Sequence, residues 1–224
     1  MLKAVIFDMD GVIIDSEPLH YKAYHAMFDE VGIDVSVELY DSLTGKSTIN
    51  VCKQLKEHFN LEHTPEELAT IKRKHFDVIF KTDKTFDLID GVRELIMNYH
   101  ANGLTLVLGS SATMMSINRI FERFQLDQYF KAKLSGAELK ASKPHPEIFI
   151  KAAKATGFSP EECLVIEDAT NGIAAAKGAG IFCVAFDSFH SKNQDYSQAD
   201  LIIQNFEEIH FEKMKEVFDA HSKT

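Results

Sequence analysis

Hydrophobic and polar positions along the chain fall into two regimes. Residues 4–7, AVIF, form a short apolar run that predicts a buried strand. From Glu17 the period changes: Leu19, Ala23, Met27 and Val31 recur at helical spacing, and Gly32 is placed to end the helix. A second helix is expected over 35–43, and a third, capped by Ser47, carries Val51, Cys52, Leu55 and Phe59. Thr64-Pro65-Glu66-Glu67 sets a capping side chain, a first-turn proline and an acid in the order that starts a helix, which then carries Leu68, Ile71, His75 and Ile79. Residues 17–82 therefore predict consecutive helices with no strand between them.

Beyond Asp90-Gly91 short apolar runs alternate with helical periods. Val92, Leu95, Ile96 and Tyr99 predict a helix closed by Gly103, followed by a strand over 104–108. Ile117, Ile120, Phe121 and Phe124 give another helix, then a short strand over 131–134, a helix over 147–156, and a turn opening at Ser159-Pro160. Strands follow at 163–166, 181–186 and 201–203, with a helix at 171–178 between the first two, and only the tail 220–224 is expected to fray. Such alternation implies an α/β fold with a parallel sheet covered on both faces. The simplest architecture is one α/β core domain, from 1–14 and 86–224, with an all-helical cap domain, 15–85, inserted after the first strand.

Composition narrows the function classes. A net charge of -10 argues against a broad nucleic-acid or anionic-membrane surface and leaves room for a local basic pocket around a phosphate. Cys52, Cys163 and Cys183 have no metal-ligand spacing and are expected to be buried free thiols. The chain starts directly on strand-like residues, and no run approaches the roughly 20 apolar residues that cross a bilayer. A cytoplasmic monomer without nucleic-acid or membrane partners is expected.

The candidate chemistry sits where apolar runs end, because ligands of open parallel sheets gather beyond the carboxyl ends of the strands. In AVIFDMDGVIID, Asp8 and Asp10 share one side if the extended backbone lasts that far, and Gly11 permits the turn that follows. The pair suits a nucleophile with a proton shuttle, a cation site, or acids that merely solvate a strand end. LTLVLGSSA ends in Ser110-Ser111, whose hydroxyl and N–H groups suit anionic oxygens or an ordinary helix cap. CLVIEDATNG ends in Glu167-Asp168, which with the first pair would make a hard oxygen site suited to Mg²⁺, or by themselves a turn. ASKPHPEIF places Lys143 before two prolines, a cation available to compensate those carboxylates and to meet a phosphate.

In order and spacing, DMDGVIID, LGSSAT, KASKPHPEIF and IEDATNGIAAAKGAG resemble the four motifs of the haloacid dehalogenase superfamily. The helical segment after DGVIIDSEPLH resembles the small cap of its β-phosphoglucomutase-like branch, which includes many sugar-phosphate and polyol-phosphate phosphatases. The resemblance implies a Rossmann-like three-layer core with a cap that closes over the substrate. It makes Asp8 the nucleophile on phosphorus, Asp10 the general acid and then base, and Ser110 and Lys143 the holders of the phosphoryl oxygens. It assigns Mg²⁺ to Asp8, the Asp10 carbonyl and Asp168, with Glu167 in or beside that shell. Gly11, His20, Gly45, Lys46 and Ser111 are the corresponding candidates for substrate contact.

The implied activity is a Mg²⁺-dependent phosphatase acting on a small phosphorylated sugar or polyol through an aspartyl-phosphate. A β-phosphoglucomutase-type mutase is the alternative. That enzyme grips a second phosphate with an arginine just after the cap-loop glycine, and the matching residue here is Thr48, which cannot supply a bidentate grip. Lys72, Arg73 and Lys74 are consecutive on a helix, cannot all face one pocket, and are expected mostly as surface charges. No cap lysine stands out as an imine former, which speaks against a phosphonate hydrolase. A non-catalytic binding protein is disfavoured because all four motifs keep their reactive side chains.

Overall fold

The computed structural model describes residues 1–43, 46–189, 191 and 193–221. The chain divides into two compact units, one of Met1–Asp15 with Leu88–Thr224 and one of Ser16–Asp87.

In the first unit a six-stranded sheet carries the order β3-β2-β1-β4-β5-β6. Its strands are β1 (Ala4–Phe7), β2 (Thr105–Ser110), β3 (Phe130–Ser135), β4 (Cys163–Glu167), β5 (Phe182–Phe186) and β6 (Leu201–Ile203), all paired in parallel. This is the Rossmann strand order, and the chain reverses its direction of travel across the sheet between β1 and β4. Helices α5 (Val92–Ala101), α6 (Met114–Phe124), α7 (Glu147–Thr156), α8 (Thr170–Gly178) and α9 (Phe211–His221) cover it. Residues of β1, β4 and β5 are buried throughout, which is why they read as unbroken apolar runs.

Alternation along each strand divides the core. Ala4 and Ile6 of β1 face the cluster built on Phe149, Ala152, Ile173 and Ala176 of α7 and α8. Phe7 makes ring contacts with Tyr99 of α5 and Phe130. A fully buried side chain such as Phe149, at 0% exposure, contributes about 1.5–3 kcal/mol. All three cysteines are buried and free.

The second unit consists of α1 (Glu17–Val31), α2 (Val37–Leu43), α3 (Thr48–Phe59) and α4 (Pro65–Thr82). Gly32 closes α1 at φ 72°, a left-handed conformation that favours glycine. Thr64 and Glu67 form a reciprocal capping box at the start of α4: the Thr64 N–H donates to the Glu67 carboxylate at 2.7 Å, and the Glu67 N–H donates to Thr64 Oγ1 at 3.2 Å. Met27, Phe28, Leu43, Leu55 and Leu68 make up its core.

Three expectations change. The helix expected over 35–43 starts at Val37, because Ser36 Oγ accepts the Leu39 N–H at 3.2 Å and so caps it. The strand expected over 104–108 extends to Ser110, because β3 pairs as far as Ser110 with Ser135. The terminal helix α9 was not anticipated, and Ala220 and His221 belong to it instead of to a frayed tail. Its approach is fixed by contacts remote in sequence: Tyr99 Oη donates to the Ile209 carbonyl at 2.5 Å, and the Phe211 N–H donates to Asn98 Oδ1 at 2.8 Å. Strand β1 spans Ala4–Phe7 as expected, and the chain turns after Asp8, with the Ile13 and Ile14 N–H groups both donating to the Met9 carbonyl. The extended spacing that would align Asp8 with Asp10 therefore does not reach Asp10.

Candidate active site

Strand register brings the candidate residues to one edge of the sheet. Phe7 is level with Leu108 of β2 and with Ile166 of β4, so Asp8 emerges between Gly109-Ser110 on one side and Glu167 on the other. The Asp8 N–H donates to the Ile166 carbonyl at 3.0 Å, which continues the ladder by one bond and anchors the backbone of Asp8 at the switch point.

Lys143 ties this edge together. Its Nζ lies 2.5 Å from Asp8 Oδ1 and 2.6 Å from Glu167 Oε1, with all three side chains at most 10% exposed. It also sits 4.8 Å over the ring of Phe149, an apolar floor that strengthens the two ion pairs by excluding water. Burial alone would lower the lysine pKa, but the two carboxylates outweigh it and hold the ammonium charged, well above its ordinary range. For Asp8, burial pushes the pKa up, Lys143 opposes that, and Glu167 and Asp168 push in the same direction as burial. Asp168 itself is raised to about 7, first by burial and then by Glu167. Among the described residues three carboxylates thus face one ammonium, and the excess negative charge favours uptake of a proton or of a cation.

Glu167 is fully engaged: beyond Lys143 on Oε1, its Oε2 accepts the N–H groups of Asp168 and Ala169, both at 2.9 Å. Its carboxylate occupies the space where a Cβ on Gly172 would lie, so only glycine fits in that first turn of α8. Gly11, at φ 84°, plays the same part for Asp168, whose carboxylate fills the position of a Gly11 Cβ.

Ser110 is 1% exposed, and its Oγ accepts the Ala112 N–H at 3.1 Å. The cap of α6 is Thr113, which accepts the Ser116 N–H, so neither Ser110 nor Ser111 serves as the helix cap. Ser111 and Asp10 are both exposed. Among the described residues no three His, Cys, Asp or Glu side chains form a ready-made metal cage. A hard cation that keeps most of its waters requires less than a cage: Mg²⁺ is commonly held by one or two carboxylates plus substrate phosphate. Asp8 and Asp168, with the excess negative charge around them, fit that requirement.

The remaining candidates belong to the helical unit. Gly45 lies outside the described residues. Lys46 is exposed and donates to Gln54 Oε1 at 3.0 Å. His20 stacks on Phe76 at 4.6 Å between ring centroids, and its Nδ1 is 2.6 Å from Lys72 Nζ. Burial, then the charge of Lys72, lowers the His20 pKa to about 4, so the neutral imidazole accepts from the lysine at pH 7.

Of the three consecutive basic residues Arg73 and Lys74 are exposed, as expected, whereas Lys72 turns inward. It is 3% exposed, in a box formed by His20, Tyr24 and Phe76, and burial pushes its pKa down from 10.5 to about 8. Leu68, Lys72 and Phe76 recur every four residues, so the helical period that marks a buried face included the lysine. At pH 7 the ammonium is still present in both folded and unfolded chains, and the cost of burying it is fully felt. Between about 8 and 10.5 the folded protein releases the proton that the unfolded chain keeps, so stability rises with pH across that window. Lys72→Met is therefore expected to stabilise the protein at pH 7 by roughly 1–3 kcal/mol. Thermal midpoints of the two proteins should converge towards pH 10.5; a gap that does not change with pH contradicts the assignment.

Comparison with known proteins agrees with this arrangement. A family model described as haloacid dehalogenase-like hydrolase matches residues 5–186. Hexitol phosphatase B of Escherichia coli (strain K12) is 30% identical over 209 residues, which cover 92% of this chain and 93% of that protein. Beta-phosphoglucomutase of Bacillus subtilis (strain 168) is 27% identical over 227 residues, covering 98% and 97%. The crystal structure of beta-phosphoglucomutase from Clostridium difficile superposes with a TM-score of 0.77 at 27% identity, over 100% of each chain. The chain belongs to the haloacid dehalogenase-like hydrolase family.

Proposed function

We propose that the protein is a Mg²⁺-dependent phosphatase that hydrolyses a small phosphorylated sugar or polyol through an aspartyl-phosphate on Asp8. The observation that carries this reading is the Lys143 ammonium seated between Asp8 and Glu167 at the switch point of the sheet. Attack of a carboxylate on a phosphate monoester brings two anions together. A fixed cation at the nucleophile lowers that barrier before and during transfer. The names of the relatives, a hexitol phosphatase and a phosphoglucomutase, support phosphorylated carbohydrates as the substrate class.

In this mechanism Asp8 attacks phosphorus while Asp10 protonates the departing alkoxide. Asp10 then takes a proton from the water that attacks the phosphoryl group and releases Asp8. Ser110 and Lys143 hold the equatorial oxygens, and the N–H groups around Ser111 would assist them. The cation's ligands would be Asp8, the Asp10 carbonyl and Asp168. Glu167, with both oxygens already committed, would act beside the ion by holding Lys143 and the start of α8. Bound Mg²⁺ supplies further neutralisation of the transferring phosphoryl charge.

Water as the final acceptor is favoured by Thr48, which stands where the mutase branch has its arginine and cannot supply a bidentate grip. The test is a panel of hexose, hexitol and pentose phosphates assayed in parallel for free phosphate and for isomerised product, with Mg²⁺ and with a chelator. Phosphate release that needs Mg²⁺ and yields no isomer is expected. Isomer formation without phosphate would transfer the protein to the mutase branch.

A further inference from the structure

The segment after β5 supplies a contact that the four motifs do not include. The Asp187 N–H donates to the Ile203 carbonyl at 2.8 Å, the Ser188 N–H to the Phe186 carbonyl at 3.0 Å, and the Ser191 N–H to the Ser188 carbonyl at 3.2 Å. This turn aims the Ser191 hydroxyl at Asp168 Oδ2, to which it donates. Ser188 Oγ lies 3.2 Å from Ser191 Oγ, and since the Ser191 proton is committed to the carboxylate, Ser188 is the donor of that bond. Further along, Gln194 Oε1 accepts both the N–H and the hydroxyl of Thr170, at 2.9 and 3.0 Å, and the Asp195 N–H donates to Thr170 Oγ1 at 2.8 Å. The corner between β4 and α8 is thus fastened from outside at two places, Asp168 and Thr170.

We infer that Ser191 is a positioning residue for Asp168: it fixes Oδ2, against the bare face of Gly11, so that the carboxylate offers Oδ1 to the cation. The inference rests on the Mg²⁺ reading above and extends it to a residue outside the motifs. Three features support it. The carboxylate lies directly against Gly11, with Oδ2 nearest, where any Cβ would collide with it. Ser191 comes from a separate strand connection, so its bond is not a by-product of the local turn around Asp168. The relay from Ser188, which is 8% exposed, holds the Ser191 rotamer in place. Groups that orient a metal-binding side chain in this way typically alter cation affinity or activity by about 10- to 100-fold when removed.

The test measures Mn²⁺ binding to the full-length protein by electron paramagnetic resonance, together with the Mg²⁺ concentration that gives half-maximal phosphate release, for wild type, Ser191→Ala and Ser191→Thr. The alanine variant is expected to bind the cation about tenfold more weakly, with kcat at saturating Mg²⁺ within about twofold of wild type. The threonine variant, which keeps the hydroxyl, is expected to lie within about threefold of wild-type affinity. Unchanged cation affinity in Ser191→Ala, or a threonine variant as weak as alanine, overturns the inference and leaves the phosphatase reading standing. A wild-type protein that binds no divalent cation overturns both.

Discussion

Asp8→Asn is expected to lower phosphate release by about four orders of magnitude or more while leaving the fold in place. The amide keeps the shape of the side chain but is too weak a nucleophile to attack phosphorus, so no covalent intermediate forms. The fold should survive because Lys143 retains Glu167 as its partner, and because burial raises the Asp8 pKa and so disfavours the charge that the amide removes. Circular dichroism and a thermal midpoint within a few degrees of wild type would separate lost chemistry from lost structure. A variant that keeps even a hundredth of wild-type turnover would remove Asp8 from the nucleophile's role.

Lys143→Met should fail in both respects. The lysine is the shared partner of two carboxylates that are 9% and 2% exposed at the side chain, and removing one member of such a buried network costs about 3–5 kcal/mol because the remaining charges stay buried and unpaired. Activity should fall by at least about 10²–10³ through loss of a fixed cation at the phosphoryl group. The pH dependence identifies the cause. Without the ammonium, the Asp8 pKa, which burial already raises, rises further above that of the unfolded chain, so the folded variant binds more protons and loses stability as pH rises. The deficit should therefore be largest at neutral pH and above, and shrink as pH falls through the raised Asp8 value. Urea denaturation at pH 5 and pH 8 measures it; a deficit independent of pH would mean that Lys143 contributes only packing.

Much of this molecule is legible in its sequence because its central strands are buried on both faces. AVIF, CLVIE and FCVAF need no alternating pattern to be recognised, and their polar successors mark the ligand edge of the sheet. The capping box at Thr64 and Glu67 is equally local, and it forms where its residues predict. What escaped depends on partners far along the chain. In α9 the buried positions Met214 and Phe218 are separated by charged residues, and the segment is placed by Asn98 and Tyr99, more than a hundred residues earlier. Lys72 was hidden for a different reason: three consecutive basic residues look like solvated charge, and only the positions of Leu68 and Phe76 on either side reveal which of them turns inward.

The candidate site divides along the same line. That carboxylates at adjacent strand ends need a cation follows from the residues themselves. That one lysine reaches both Asp8 and Glu167 follows from the register of β1 and β4 together with the path of the chain before α7. Ser191 offered no signal at all, since it sits in a polar stretch, FDSFHSKNQD, without period or motif. Its bond to Asp168 exists because β5 pairs beside β4 and returns the chain to the same edge.

The account rests on phosphorylation of Asp8, and borohydride trapping tests this most directly. Asp10→Asn protein, in which release of the phosphoryl group is slowed, is mixed with an acyl or aryl phosphate whose leaving group needs no proton, quenched, reduced with borohydride and mapped by peptide mass spectrometry. Reduction of an aspartyl-phosphate leaves homoserine, and the account predicts it at position 8 and at no other aspartate. Phosphate turnover accompanied by an unmodified Asp8, or homoserine at another aspartate, would contradict it.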